Sequence, residues 1–312
     1  MKRFLINAIF FSLIVILVLG VALFLIPNRK IPDNSLFASY DKHQRLSSLK
    51  SPKIILVGGS NLPFGIKSQE IEAALGMPVV DMGLHAGLGL NFILSEVEKD
   101  VYEGDVVVVS PEYHHFLSQS MFNGEDVLVA LLFDVNRDCI QYVKPSQWMA
   151  LLPNICLYSS KKIISFPTKT GDSFEDLFTR DSFNSYGDEV AHYGLPSTVR
   201  SGQKVALSNS IYDKALRRLV RFRDYVEEQG AKFILVACPY PKGQYNLDKE
   251  VIEKIANEAS SVGLDFLIEP KDCLFPDSLM FNSFFHLSGE GGGIRTAQLI
   301  NVLQSECLLP QK

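Results

Sequence analysis

The sequence predicts an α/β fold: a parallel sheet of about five strands with helices on both faces. Three observations carry this expectation. Short, continuously apolar runs recur along the chain, among them "KIILVGG" (53–59), "GDVVVVS" (104–110) and "AKFILVAC" (231–238). Their lack of polar alternation, with many β-branched residues, is the mark of strands buried on both faces. Between the runs lie segments with apolar residues at helical spacing, as crossover connections require.

The N-terminus is apolar in another way. Phe4–Ile26 reads "FLINAIFFSLIVILVLGVALFLI", without a charged residue. A bilayer core takes about 20 apolar residues as a helix, whereas a signal peptide has a core of only about 7–15. No A-x-A-like site follows, so residues 1–27 are expected to be an uncleaved transmembrane anchor, with cleavage as the alternative. Membrane contact would run through residues 4–26. Lys2 and Arg3 precede the segment and Arg29 and Lys30 follow it, a slight bias for the positive-inside rule. The short leading tail favours a cytoplasmic N-terminus, which puts a single-pass domain on the periplasmic or exterior face of the inner membrane. The polar residues 28–51 are expected to form a stalk and 52–312 the domain.

Within the domain the elements follow in order. The first strand (53–59) is bounded by Pro52 and two glycines, and a helix over 68–75 has Ser68 as cap and Gly76 as stop. "MPVVDMG" (77–83) is the second strand, 88–101 an amphipathic helix and 104–113 the third strand. The theme resumes with a charged helix over 211–229, a strand over 231–238 and a helix over 249–260. A fifth strand over 263–270 and a helix over 290–303 complete it. This βαβ order predicts an open, doubly wound sheet of flavodoxin type. Residues 114–209 break the rhythm and carry Trp148, several prolines and the polar "TRDSFNSYGDEVAHYG" (179–194). Such an insertion is expected to lie as a cap over the carboxyl edge of the sheet, where ligands bind.

Composition narrows the function. Removing Lys2 and Arg3 from a net charge of −5 leaves −7 for the rest, with no basic run, which argues against nucleic acid or anionic lipid as a partner. The five cysteines (139, 156, 238, 273 and 307) lack CxxC spacing and speak against zinc or a disulfide framework. The adjacent His114 and His115 would point to opposite sides of a strand, a poor arrangement for a shared metal. "SGEGGG" (288–293) lacks the lysine and context of a P-loop, and Ser288 reads as a helix cap. No glycine fingerprint with an acidic ribose partner suggests a nucleotide. No cofactor and no metal is expected.

Ser60 is the residue in question. A nucleophile needs exposure at the end of a strand, a sharp backbone turn and nearby N–H groups for an oxyanion. Gly58 and Gly59 supply the turn, but the G-x-S-x-G elbow is not met, and a turn cap explains Ser60 equally well. At the other end of the chain, "LMFNSFFHLSGEGGGIRTAQLI" (279–300) places His286 in a loop before the last helix, where it can lean over the same sheet edge.

Together the two stretches resemble the SGNH (GDSL-like) hydrolase superfamily, and most of all its membrane-anchored, extracytoplasmic branch associated with acyl transfer to polysaccharides. The resemblance runs from about Lys53 to Leu303 in element order, with specific motifs in four short stretches. It implies Ser60 as nucleophile, His286 as base, and an oxyanion amide from Gly83 or Gly87, with Gly87 preferred. It also implies an asparagine after the third strand, where this chain has Glu112, and an aspartate before the histidine, where it has Asn282 or Ser283. Asn282 is expected to orient His286 in the missing carboxylate's stead. Asn61, His85, Glu112, Asn184 and Tyr186 are candidate pocket residues, the last two in a polar, aromatic stretch suited to sugar hydroxyls.

Two functions follow from this resemblance. One is an esterase or O-acyltransferase acting on acyl esters, acetyl in view of the resemblance, of an envelope or exported polysaccharide. The other is a degenerate domain that binds glycan or protein within a polysaccharide assembly, favoured by the two departures and opposed by the retained serine and histidine.

Overall fold

The computed structural model describes residues 1–26, 34–165, 178–202, 207–208 and 210–307. Among the described residues there are seven strands: β1 (Ile54–Gly58), β2 (Val79–Asp81), β3 (Val106–Ser110), β4 (Lys232–Val236), β5 (Tyr240–Pro241), β6 (Phe266–Ile268) and β7 (Leu274–Phe275). Five of them form one parallel sheet in the order β2-β1-β3-β4-β6, and β5 and β7 pair separately. The fold is thus α/β with the doubly wound strand order. Continuous burial of β1, β2 and β3 explains why their sequences do not alternate.

Among the described residues there are ten α-helices. They are α1 (Lys2–Leu25), α2 (Ala38–Ser48), α3 (Ser68–Leu75), α4 (Leu90–Ser95), α5 (Gln119–Asn123), α6 (Asp126–Ala130), α7 (Pro145–Ser165), α8 (Asp213–Glu228), α9 (Lys242–Ser261) and α10 (Gly289–Cys307). On the sheet, α3 and α10 pack together and reach β2 and β6, while α4 and α8 pack together and reach β1 and β4. Among the described residues of 114–209, no strand joins the sheet; the short α5 and α6, 3-10 and π turns, and α7 take its place. Parts of that expected cap (166–177, 203–206 and 209) lie outside the described residues.

Three expectations change. The stretch expected as an irregular stalk is helical from Ser35 to Ser48, with its first residues (28–33) outside the described set. This segment docks on β2: Lys42 Nζ donates to Asp81 O at 2.9 Å and Arg45 Nε to Val79 O at 2.7 Å. The polar side chains that made it read as a linker are those that cover the outer edge of the sheet. The helix expected over 249–260 begins at Lys242, held by buried hydrogen bonds from Gln244 and Tyr240 to Asp248 Oδ2 at 2.8 and 2.9 Å. The helix expected over 88–101 ends as an α-helix at Ser95 and continues in a 3-10 turn, Glu98–Asp100.

α1 is long and apolar enough to cross a membrane, and only Ala22 and Leu23 near its end are buried. At the opposite edge of the sheet from the loops discussed below, Lys53 and Asp105 form a fully buried pair, Nζ to Oδ2 at 2.9 Å. Asp105 also accepts from the backbone N–H of Lys53 and of Tyr102, both at 3.0 Å, locking the entries of β1 and β3. Removing one partner of a buried pair strands the other charge. Asp105→Ala is therefore expected to cost about 3–5 kcal/mol, read as a fall in thermal midpoint of the full chain in detergent. A loss below about 1 kcal/mol would mean that the pair is dispensable.

Candidate active site

Parallel sheets gather their loops at the carboxyl ends of the strands, most openly where the chain reverses its direction of winding. Here the reversal lies between β1 and β3, which are neighbours in the sheet with Gly58 opposite Ser110. Ser60 follows β1 by two residues and Glu112 follows β3 by two, so topology alone brings them together. The approach is close enough to require glycine, since a Cβ on Gly59 would sit 2.6 Å from Glu112 Oε1. Beyond Ser60 the chain coils through successive turns, with Phe64 N–H donating to Ser60 O at 3.1 Å and Gly65 N–H to Leu62 O at 2.9 Å. The Ser60 side chain caps none of these turns.

Its hydroxyl meets His286 instead, with Oγ 2.8 Å from Nε2. On the far side of the ring, Nδ1 lies 2.6 Å from Asn282 Oδ1. An amide oxygen only accepts, so Nδ1 carries the proton and Nε2 turns its lone pair to the Ser60 O–H. Phe64 stacks on the imidazole at 4.3 Å between centroids, nearly parallel at 10°, and fixes the ring's plane. Burial, with the neighbouring imidazoles of His85 and His192, pushes the pKa of His286 down to about 3. The ring is therefore neutral at ordinary pH and able to accept a proton.

Glu112 occupies the other side of Ser60, with Oε1 3.3 Å from Oγ and accepting from Asn61 N–H at 3.2 Å. Burial pushes its pKa up to about 7, against the Asn61 and Ser60 hydrogen bonds and the Arg295 charge, which lower it. The serine has one proton, and His286 receives it. Glu112 Oε1, at the longer distance, competes with Nε2 for that proton.

His115 fixes this arrangement from behind. Its Nδ1 accepts from Glu112 N–H at 3.1 Å and its Nε2 faces Ala86 O at 2.9 Å. His114 points elsewhere and meets the Phe285 ring.

The remaining expected residues divide. His85 lines a cavity of about 270 Å³ with Ser60, His286, Asn282, Phe64 and Phe178, and Asn34–Leu36 form part of its wall. Asn61 is buried beneath, its Nδ2 donating to Ser110 Oγ at 3.0 Å. The two oxyanion candidates are a correction. Gly83 N–H is taken by Asp81 Oδ1 at 2.7 Å and Gly87 N–H by His85 Nδ1 at 2.9 Å, so neither amide is free to face Ser60.

Asn184 and Tyr186 line a different cleft from the one beside Ser60. Asn184 Oδ1 closes its own turn, accepting from Tyr186, Gly187 and Asp188 N–H at 2.9–3.1 Å. Tyr186 lies under Arg45, 4.3 Å from guanidinium carbon to ring centroid, in a separate cleft beside α2.

Two contributors were not foreseen. Phe64 is one. The other is Arg295 of α10, fully wrapped by protein, which donates to Asn61 O at 2.6 Å and to Ser110 Oγ at 2.8 Å. Its spacing of four from Leu299 and eight from Leu303, both buried, was the available signal, for it sits on the apolar stripe of its helix. Ser288 Oγ caps that helix, accepting from Gly291 N–H at 3.2 Å.

No family model matches the chain, and no curated protein matches it.

Loss of Arg295 leaves Asn61 O and Ser110 Oγ buried without this donor. Arg295→Met is expected to lower stability by about 2–4 kcal/mol, at roughly 1–3 kcal/mol for each buried group left unsatisfied. Arg295→Lys should recover only part, since one ammonium cannot reproduce a planar fork. Thermal midpoints of the two variants decide it, and equal recovery by lysine would reduce the arginine to a mere charge.

Proposed function

We propose that this chain is a membrane-anchored serine esterase or O-acyltransferase of SGNH type, with Ser60 as nucleophile, His286 as base and Asn282 as its orienting partner. The observation that carries this reading is the unbroken Asn282–His286–Ser60 chain, at 2.6 and 2.8 Å, facing a cavity sized for a short acyl group. Ser60 Oγ attacks the acyl carbon and its proton passes to Nε2. The tetrahedral intermediate collapses as Nε2 returns that proton to the departing alcohol. Water or a sugar hydroxyl, deprotonated by the same nitrogen, then releases the acyl group from Ser60.

The oxyanion takes its hydrogen bonds from the Ser60 N–H and, below its pKa, from the carboxyl of Glu112. A neutral acid kept protonated by burial serves as such a donor. Burial of His286 disfavours the imidazolium formed in the transition state, and Asn282 offers it a dipole where a carboxylate would offer a charge. The enzyme in this reading is slow. The acceptor class, an envelope or exported polysaccharide, and the outward-facing domain rest on the resemblance set out above. Residues 178–199 and Asn34–Leu36 act as its cap; Glu189 N–H, for example, donates to Pro63 O at 3.1 Å.

The rival reading, a binding module without turnover, is favoured by the engaged amides of Gly83 and Gly87. Hydrolysis of p-nitrophenyl acetate by the full chain in detergent separates the two. The enzyme reading expects turnover that Ser60→Ala and His286→Ala both reduce to background, and serine-directed fluorophosphonate labelling that Ser60→Ala removes. Turnover or labelling indifferent to Ser60 would sink it.

Two further outcomes follow from the electrostatics. Asn282→Asp supplies the missing charge at an unchanged position, and should raise kcat by up to about 10⁴, the cost of the reverse change in a serine protease. The pH profile should be inverted relative to an ordinary dyad. His286 stays neutral through the working range, while Glu112 loses its proton near pH 7 and then repels the oxyanion. The value of kcat/KM is therefore expected to fall as pH rises through about 7, and Glu112→Gln to abolish that fall. A rise over the same interval in the native chain would show that ionised Glu112 is harmless.

A further inference from the structure

α7 leaves large apolar side chains uncovered on its outer face. The face it turns to the protein is mixed, with Leu151 buried beside Gln147, Tyr158, Ser159 and Lys162, and Trp148 and Ile155 packed at its margin. The face it turns outward carries Met149, Leu152, Leu157 and Ile164, which are 75%, 50%, 50% and 76% exposed. These four fall within one side of a helical wheel, with Pro153 among them. An amphipathic helix in water turns polar and charged residues outward instead.

Its neighbour identifies what covers that face. α7 packs along α1, and the buried or half-buried part of α1 is confined to its last two turns, Leu19–Ile26. Lys162 fastens the two: its Nζ donates to Leu23 O at 2.9 Å and pairs with Asp134 Oδ1 at 2.8 Å. Leu23 O belongs to the last turn of α1, whose carbonyls lack intrahelical donors and carry the negative end of the helix dipole. Phe24 is fixed against Phe133, ring centroids 5.5 Å apart. The end of the anchor is thus clamped to the domain, and the depth of α7 is set by it. A helix of 24 residues is about 36 Å long against a hydrocarbon core of about 30 Å, so its last turns lie at the lipid headgroups.

We propose that α7 lies in the headgroup region of the bilayer that α1 enters, with Met149, Leu152, Leu157 and Ile164 turned into the acyl-chain boundary. The occupant of this face is lipid. The inference rests on the reading of α1 as a membrane span and adds a second, parallel contact, so that the domain is held at a fixed tilt.

The chain's one tryptophan, Trp148, makes the test direct. In the full chain carrying Trp148→Phe, single tryptophans are introduced by Met149→Trp, Leu157→Trp or Ile164→Trp, with Ile16→Trp on α1 and Leu247→Trp on α9 as references. The protein is reconstituted in phosphatidylcholine vesicles with and without brominated acyl chains. The proposal expects the three α7 positions and Ile16→Trp to lose most of their emission to brominated lipid, and Leu247→Trp to lose none. Quenching at Ile16→Trp without quenching on α7 overturns the proposal alone. Absence of quenching at both overturns the span as well. A benzophenone amino acid at Ile164, with Trp148 intact, gives an independent reading: cross-links to lipid support the proposal, and cross-links to a second copy of the chain overturn it.

Discussion

The site depends on one buried cation. Arg295 reaches from α10 to the turn after β1 through Asn61 O, and to the end of β3 through Ser110 Oγ. The same helix begins three residues after His286, so the arginine ties the serine's loop to the histidine's own element. Together with Leu287 N–H donating to Phe64 O at 2.8 Å, that tie holds the two loops at the 2.8 Å contact between Ser60 and His286. The charge is costly to bury, and neutral acceptors wrap it while Glu112 and Asp81 stand near enough to favour it electrostatically.

Burial also determines which protons the site holds. His286 and Glu112 flank the same hydroxyl, and desolvation moves them in opposite directions, one towards the neutral base and the other towards the neutral acid. The two groups flanking the hydroxyl are thus both drawn towards their neutral forms, with the Arg295 charge buried beneath them. Phe64 and His115 add nothing to this chemistry directly. They hold the ring plane and the carboxyl's backbone on either side of that hydroxyl.

Much of the architecture was legible because it is written in continuous apolar runs. "VVVV" in β3 admits few alternatives to a strand covered on both faces. α2 was illegible for the converse reason: it docks through Lys42 and Arg45, whose carbon stems and donors work on backbone carbonyls while composition registers only their charge. At the site, the serine and histidine were legible from their loops, and Arg295 from its place on a leucine stripe. The engagement of Gly83 and Gly87 was harder to read. Asp81 and His85 each accept from the amide two residues on, a local closure that competes with any longer-range role for that amide. The upward shift of Glu112 was beyond reach, since it depends on burial contributed by several distant segments.

Asn34–Leu36 form part of the cavity wall beside Ser60, and α1 ends at Leu25. From Ile26 to Asn34 a chain can span at most about 29 Å, whatever path it takes. With α1 in a bilayer, the cavity works inside a thin layer above the lipid surface. What it meets is then governed by encounters per unit area, not per unit volume. A molecule confined to the membrane surface passes through that layer by necessity, whereas a dilute soluble one enters it only by chance.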